Sequence, residues 1–89
     1  MKKITKQEAE NIGNELGVNW NEINIDEFTK GVNVELEHGY IDSKTNVTNN
    51  NRILTGKIAW AHLNEFPDYY TRLHKMESEA EEYWNSKKQ

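Results

Sequence analysis

Residues Leu54–Glu77, LTGKIAWAHLNEFPDYYTRLHKME, decide the fold. Two helical patterns meet there at one proline. Ahead of Pro67 the segment from about Arg52 to Glu65 is crowded with apolar residues. Leu54, Ile58 and Ala61 fall on one side of a helix, and Trp60 and Leu63 on others. A helix apolar on several faces is usually central to a bundle. Gly56, near its start, either lets another backbone approach or marks a helix boundary. Pro67 suits the first turn of a new helix, where its missing N–H costs nothing. Asp68 favours the positive end of that helix. Tyr69, Leu73, Met76, Ala80 and Tyr83 then recur at steps of four and three, and Tyr70 and Trp84 widen the stripe. This is the spacing of a left-handed packing seam. It predicts a helix over about 67–85, attached either to the other helices or to a second copy of the chain.

Working outward, Thr5 and Glu8 form a capping-box pattern, and Ala9, Ile12 and Leu16 follow at helical spacing. Gly17 supplies a left-handed stop, so the first helix is about 6–16. Asn24 is a good N-cap with Glu27 three residues on, and Ile23 and Phe28 occupy the positions of a hydrophobic staple. Ile25, Phe28, Val32 and Leu36 make one stripe and Gly39 ends it, which predicts a second helix over about 25–38. Val18 and Trp20, in the connector, should tuck against the core. Residues 40–51 read as one long polar loop, either working or mobile. The expectation is an all-α chain: one domain over residues 1–89, a small bundle of about four helices at 6–16, 25–38, 52–65 and 67–85.

Composition narrows the function. Hydrophobic residues make up 35% of the chain and mean hydropathy is -1.00, low for a self-sufficient globule. Three tryptophans, four tyrosines and two phenylalanines partly offset this, since each ring buries a large area. A thin core favours a homo-oligomer or folding on a partner. The absence of cysteine excludes disulfides, thiolate metal sites and cysteine nucleophiles, and suits a reducing cytosol. The longest apolar run, Ile58–Ala61, is too short for a membrane span. A cytoplasmic protein with no membrane contact is therefore expected. Net charge is -4, with lysines mostly at the ends and Glu77, Glu79, Glu81 and Glu82 on the last helix. That balance argues against binding duplex nucleic acid. The acidic helix face reads either as solvated or as a docking surface for a basic partner.

Each histidine has a glutamate three residues away: Glu35 with His38, His62 with Glu65, and His74 with Glu77. On a helix these lie on one face, about a turn apart. Glu-x-x-His is also how carboxylate metal sites are built in helical bundles. Two facing helices would converge Glu35, His38, His62 and Glu65 on one divalent ion. The plainer reading is surface pairs worth about 0.2–0.5 kcal/mol each. Glu65 shares a side with Leu54, Ile58 and Ala61, and Glu35 flanks Phe28 and Val32. A carboxylate on an apolar face must be paired, protonated or at a rim. Lys57, Arg52 and Arg72 are ordinary partners, and a buried carboxylate–histidine network between the second and third helices is the next reading. There is no phosphate-cradling glycine motif, no spaced serine–histidine–aspartate set and no zinc-finger spacing. No catalytic residue and no resident cofactor are expected.

At VELEHG (Val34–Gly39), TNVT (Thr45–Thr48) and LTGKIAWAHLNEFPDYYTRLHKME the chain resembles a family of small uncharacterised proteins of bacteria and bacteriophages, a domain of unknown function. The resemblance runs from the first helix to Trp84. It implies a cytosolic setting in a microbe or an infected host cell, and carries no activity to transfer. Small phage proteins of this size often inhibit host machinery or host defence, an analogy from context.

The expected function is thus a non-enzymatic binding module that contacts a protein partner, with a homodimer as an option. Its surface would be the long loop and the elbow at Pro67: Asn49, Asn50, Arg52, Lys57, Tyr69 and Tyr70. One alternative is a metal-binding helical protein using the Glu/His pairs. Another is a small-ligand or nucleotide sequestering protein in which Arg52, Lys57 and Tyr70 bracket a phosphorylated ligand at an oligomer seam.

Overall fold

The computed structural model describes residues 3–41 and 51–87, the side chains of 38–41 excepted. The helices are α1 (Lys6–Leu16), α2 (Ile25–Ile41), α3 (Arg52–Glu65) and α4 (Tyr69–Lys87). The chain is all-α, a small four-helix bundle. The part of the expected polar loop at 42–50 lies outside the described residues.

The helix starts follow local chemistry. Thr5 Oγ1 accepts the Glu8 amide at 3.1 Å and Glu8 Oε1 accepts the Thr5 amide at 3.1 Å, a complete capping box. Those hydrogen bonds, the Thr5 backbone one first, hold the Glu8 carboxyl below its usual range. Arg52 donates to the other Glu8 oxygen at 3.0 Å, tying the start of α3 to the start of α1. Gly17, at φ 86°, stops α1 in the left-handed region, where a side chain is strained. Asn24 Oδ1 accepts the amides of Asp26 and Glu27 at 2.9 and 3.0 Å, and the staple residues Ile23 and Phe28 are both buried. Asn51, the last residue of the expected polar loop, caps α3: its Oδ1 accepts from Ile53 and Leu54.

Three boundaries differ from expectation, the third being the end of α4 at Lys87 rather than near residue 85. α2 continues through Gly39 to Ile41. α4 begins at Tyr69, because Pro67 sits in the preceding turn. There the Tyr69 amide reaches Phe66 O at 3.0 Å, and Asp68 O accepts the Arg72 amide at 3.1 Å.

α2 and α3 form the central pair. Each touches both α1 and α4, while α1 and α4 do not meet. The core joins Ile4, Ala9, Ile12, Val18, Ile23, Phe28, Val32, Leu36, Ala59, Leu63 and Tyr70. Trp20 packs edge-on to Phe28 with centroids 5.4 Å apart, and its Nε1 donates to Asn14 at 2.8 Å. The face that α3 buries is not the expected one. Thr55, Gly56, Ala59 and Leu63 point inward, while Leu54 and Ala61 are exposed and Ile58 is half-buried. An α3 apolar all round has no stripe to orient it. The face of small residues wins because it lets α1 close in: a β-carbon at Gly56 would press on Ile12 and Leu16.

Candidate functional site

α4 leaves the bundle as it goes. Tyr70 is 2% exposed, Tyr69 and Leu73 are half-buried, and every residue from His74 to Lys87 is exposed. The helix therefore has an anchored inner end and a free outer end, and each carries a candidate site.

At the inner end Tyr70 enters between α2 and α3. Gly31 makes room for it: a β-carbon there would overlap the Tyr70 ring. The phenol donates to Glu35 Oε2 at 2.9 Å, and its oxygen lies 3.0 Å from His62 Nδ1. His62 Nδ1 is also 3.4 Å from the same Glu35 oxygen. The phenol has one proton and gives it to Glu35, so the contact with His62 requires a proton on Nδ1. The His62 ring stacks on Tyr69 at 4.4 Å and 7°, and Tyr69 meets Tyr70 edge-on at 5.0 Å. Burial first, then the charge of Glu35, push the Tyr70 phenol far above its ordinary value, so it stays neutral.

A second carboxylate holds the same turn. Glu27 is buried, and its oxygens accept the Thr71 amide at 3.1 Å and the Thr71 hydroxyl at 2.9 and 3.0 Å. Lys30 flanks it at 3.6 Å. Thr71 is the third residue of α4, where backbone N–H groups have no partner within the helix and the local field is positive. Glu27 thus caps α4 from across the bundle. Its place three residues after Asn24 hid this role under a capping-box reading. Among the described residues no buried side-chain polar atom lacks a partner.

These placements redistribute the expected residues. Tyr70 is a core residue, not part of an exposed surface. Tyr69 is half-buried against His62. Arg52 and Lys57 are exposed, but Arg52 starts α3 and Tyr69 follows its end, about 20 Å away along the helix. Arg52 and Tyr69 therefore lie at opposite ends of α3. Asn49 and Asn50 lie outside the described residues. Of the metal set, Glu35 and His62 come together, with Tyr70 between them. Glu65 is exposed rather than on a buried apolar face, and the His38 side chain lies outside the described residues. Among the described residues no three acidic or histidine side chains gather as a cation would require. The carboxylate–histidine network between α2 and α3 is present, and it gains a tyrosine from α4 that no local pattern announced.

The outer end is different in kind. Met76, Tyr83 and Trp84 are 59%, 53% and 63% exposed. Tyr83 and Trp84 pack edge to face at 5.2 Å. At the elbow, Phe66, Tyr69, Arg72, Leu73 and Met76 line an open apolar groove of about 320 Å³. Arg72 lies over the Phe66 ring at 5.0 Å and donates to Asp68 at 2.8 Å, which lowers the Asp68 carboxyl. A larger groove, about 480 Å³, runs between α2 and α4 past Lys3, Lys30 and His74. Its Thr29, Asn33 and Thr71 side chains all hydrogen-bond within the fold, so it offers few groups for a ligand.

A family model described as a protein of unknown function (DUF5661) matches residues 9–79. The chain belongs to that family. No curated protein and no solved structure matches it. The span matched to DUF5661 takes in Glu27, Gly31, Glu35, His62 and Tyr70, and ends on α4 between Met76 and Tyr83.

Proposed function

We propose that this DUF5661 chain is a non-enzymatic binding module that acts by contact with a protein partner through α4. The observation that carries the reading is the outer half of that helix. An apolar stripe continues at regular spacing where none of the described residues covers it, and large exposed apolar patches mark interaction sites. Aromatic side chains such as Tyr83 and Trp84 are the usual anchors of protein interfaces. The polar cluster supports the non-enzymatic part. Glu27, Glu35, His62, Tyr70 and Thr71 are engaged with one another, and the phenol is held neutral. The resemblance to phage proteins supports host machinery or host defence as the partner's setting.

The experiment compares wild type with a Met76→Glu/Trp84→Glu variant. Each is immobilised and exposed to host lysate, and any retained protein is then purified and titrated calorimetrically. Both substituted positions are exposed, so the fold should persist by circular dichroism. Direct binding to wild type, lost in the variant, is the expected result. A partner that binds both equally defeats the reading.

A further inference from the structure

The stripe on α4 also carries information about what covers it. On a helix, each residue turns about 100°. Leu73, Met76, Ala80 and Tyr83 make the seam, with Trp84 beside it. Glu77 lies along the Trp84 edge, and Glu79 along the Met76–Tyr83 edge. Glu81 and Glu82 continue the negative charge behind them. Each edge of the apolar strip therefore carries a carboxylate. The basic residues of the helix are Arg72, Lys75 and Lys87; Lys75 lies behind Glu79, away from the seam. Arg72 is already paired with Asp68, and Lys87 lies 5.3 Å over the Tyr83 ring.

This pattern disfavours a second copy of the chain as the occupant. A two-fold pairing that covers the strip from Leu73 to Lys87 places its axis near residue 80. It would bring Glu77 and Glu79 of both copies into one short stretch, and like charges at such positions repel. The strip alone is also small, about 22 Å by 10 Å. A stable interface usually buries about 800 Å² on each partner, so the occupant must extend into the elbow groove beside Phe66.

We infer that α4 and the elbow groove receive an amphipathic helix of a partner protein whose apolar seam is edged by lysine or arginine. This rests on the protein-contact reading and names the chemical class of its partner. The 3–4 spacing of Leu73, Met76, Ala80 and Tyr83 matches side chains arriving from another helix. Lysines on the two edges meet Glu77 and Glu79. An apolar residue at the end of the partner helix fills the groove between Phe66, Tyr69 and Leu73.

The test uses the intact protein and three labelled synthetic helical peptides of about 20 residues, long enough to span the strip. All share one leucine seam; their edges carry lysine, glutamine or glutamate. Binding is read by fluorescence anisotropy. The lysine peptide should bind about tenfold more tightly than the glutamine peptide at low salt, equivalent to about 1.4 kcal/mol. That advantage should shrink at about 0.5 M salt, where surface charges are screened. Glu77→Gln/Glu79→Gln should abolish the preference, and Met76→Ala/Trp84→Ala should weaken all three peptides. Equal affinity for the three peptides overturns the inference. So does lysine-peptide binding that ignores Met76 and Trp84, or a wild-type dimer in sedimentation that Trp84→Ala dissociates. If the lysine preference is absent while a lysate-derived partner still requires Met76 and Trp84, the protein-contact reading survives and only the basic class falls.

Discussion

The two halves of α4 share one sequence rhythm and meet opposite fates. Tyr69 to Leu73 pack against α2 and α3, while His74 to Lys87 face solvent. Hydrophobicity does not separate them: Met76, Tyr83 and Trp84 are as apolar as the residues that are buried. What separates them is the reach of the neighbours and three polar anchors. Glu27 takes the Thr71 amide and hydroxyl, and Glu35 and His62 take the Tyr70 phenol. Beyond Leu73 none of the described residues buries α4. The molecule is accordingly elongated, 48 Å by 29 Å by 21 Å.

The sharpest way to break this comparison is at Tyr70. Tyr70→Ala empties a fully buried ring site and leaves Glu35 and His62 without their shared partner. A loss of about 3–5 kcal/mol is expected. Urea denaturation would then find the domain largely unfolded, given the small total stability of such chains. A well-folded variant would show that the inner half is not anchored there.

Glu27→Gln tests the capping role with less loss of volume. Replacing a charge-assisted hydrogen bond at a helix start should cost about 1.5–3 kcal/mol. Hydrogen exchange should show the first turn of α4, Thr71 above all, losing protection before α1 does.

The Tyr70 phenol also gives a pH signature. Its folded value lies above the unfolded value of 10.0. The contribution is therefore fully present below pH 10 and declines as the pH rises past it, because only the unfolded chain releases that proton. The slope approaches about 1.4 kcal/mol per pH unit. Urea midpoints measured from pH 9 upward should fall more steeply for wild type than for Tyr70→Phe; parallel curves would refute the buried, neutral phenol.

The smallest effect belongs to the outer half. Trp84→Ala should change stability by no more than about 0.5 kcal/mol in the isolated protein, as for other exposed positions. A drop of several kcal/mol would mean that this face is covered, and sedimentation of the same sample would report whether a second copy covers it.

Legibility in the sequence follows the range of the interactions. The capping box at Thr5, the stop at Gly17, the staple at Ile23 and Phe28 and the stripes of α1 and α2 involve residues a few positions apart. The Asn51 cap is equally local, yet it ends a run of asparagines that reads as loop. The buried face of α3 was illegible because several of its faces are apolar, so the close approach of α1 at Gly56 decided the outcome. Half of the candidate network could be anticipated: Glu35 flanks the apolar stripe of α2, and His62 stands out as a histidine with a glutamate three residues away. Tyr70 carried only its place beside the stripe of α4; its phenol contacts depend on the space at Gly31 and on carboxylates 35 and 43 or 44 positions away in sequence.

By itself the chain of residues determined four helices, most of their ends, and the existence of an apolar stripe along α4. Periodicity and capping are properties of neighbours along the backbone, and they act before any tertiary contact forms. Only the tertiary structure decided that the Tyr70 phenol joins Glu35 and His62, that Glu27 caps a helix begun more than forty residues later, and that the stripe outlives the bundle that should have covered it. A stripe states which face a helix would bury; whether another element reaches that face depends on helix lengths and packing directions that no local pattern encodes.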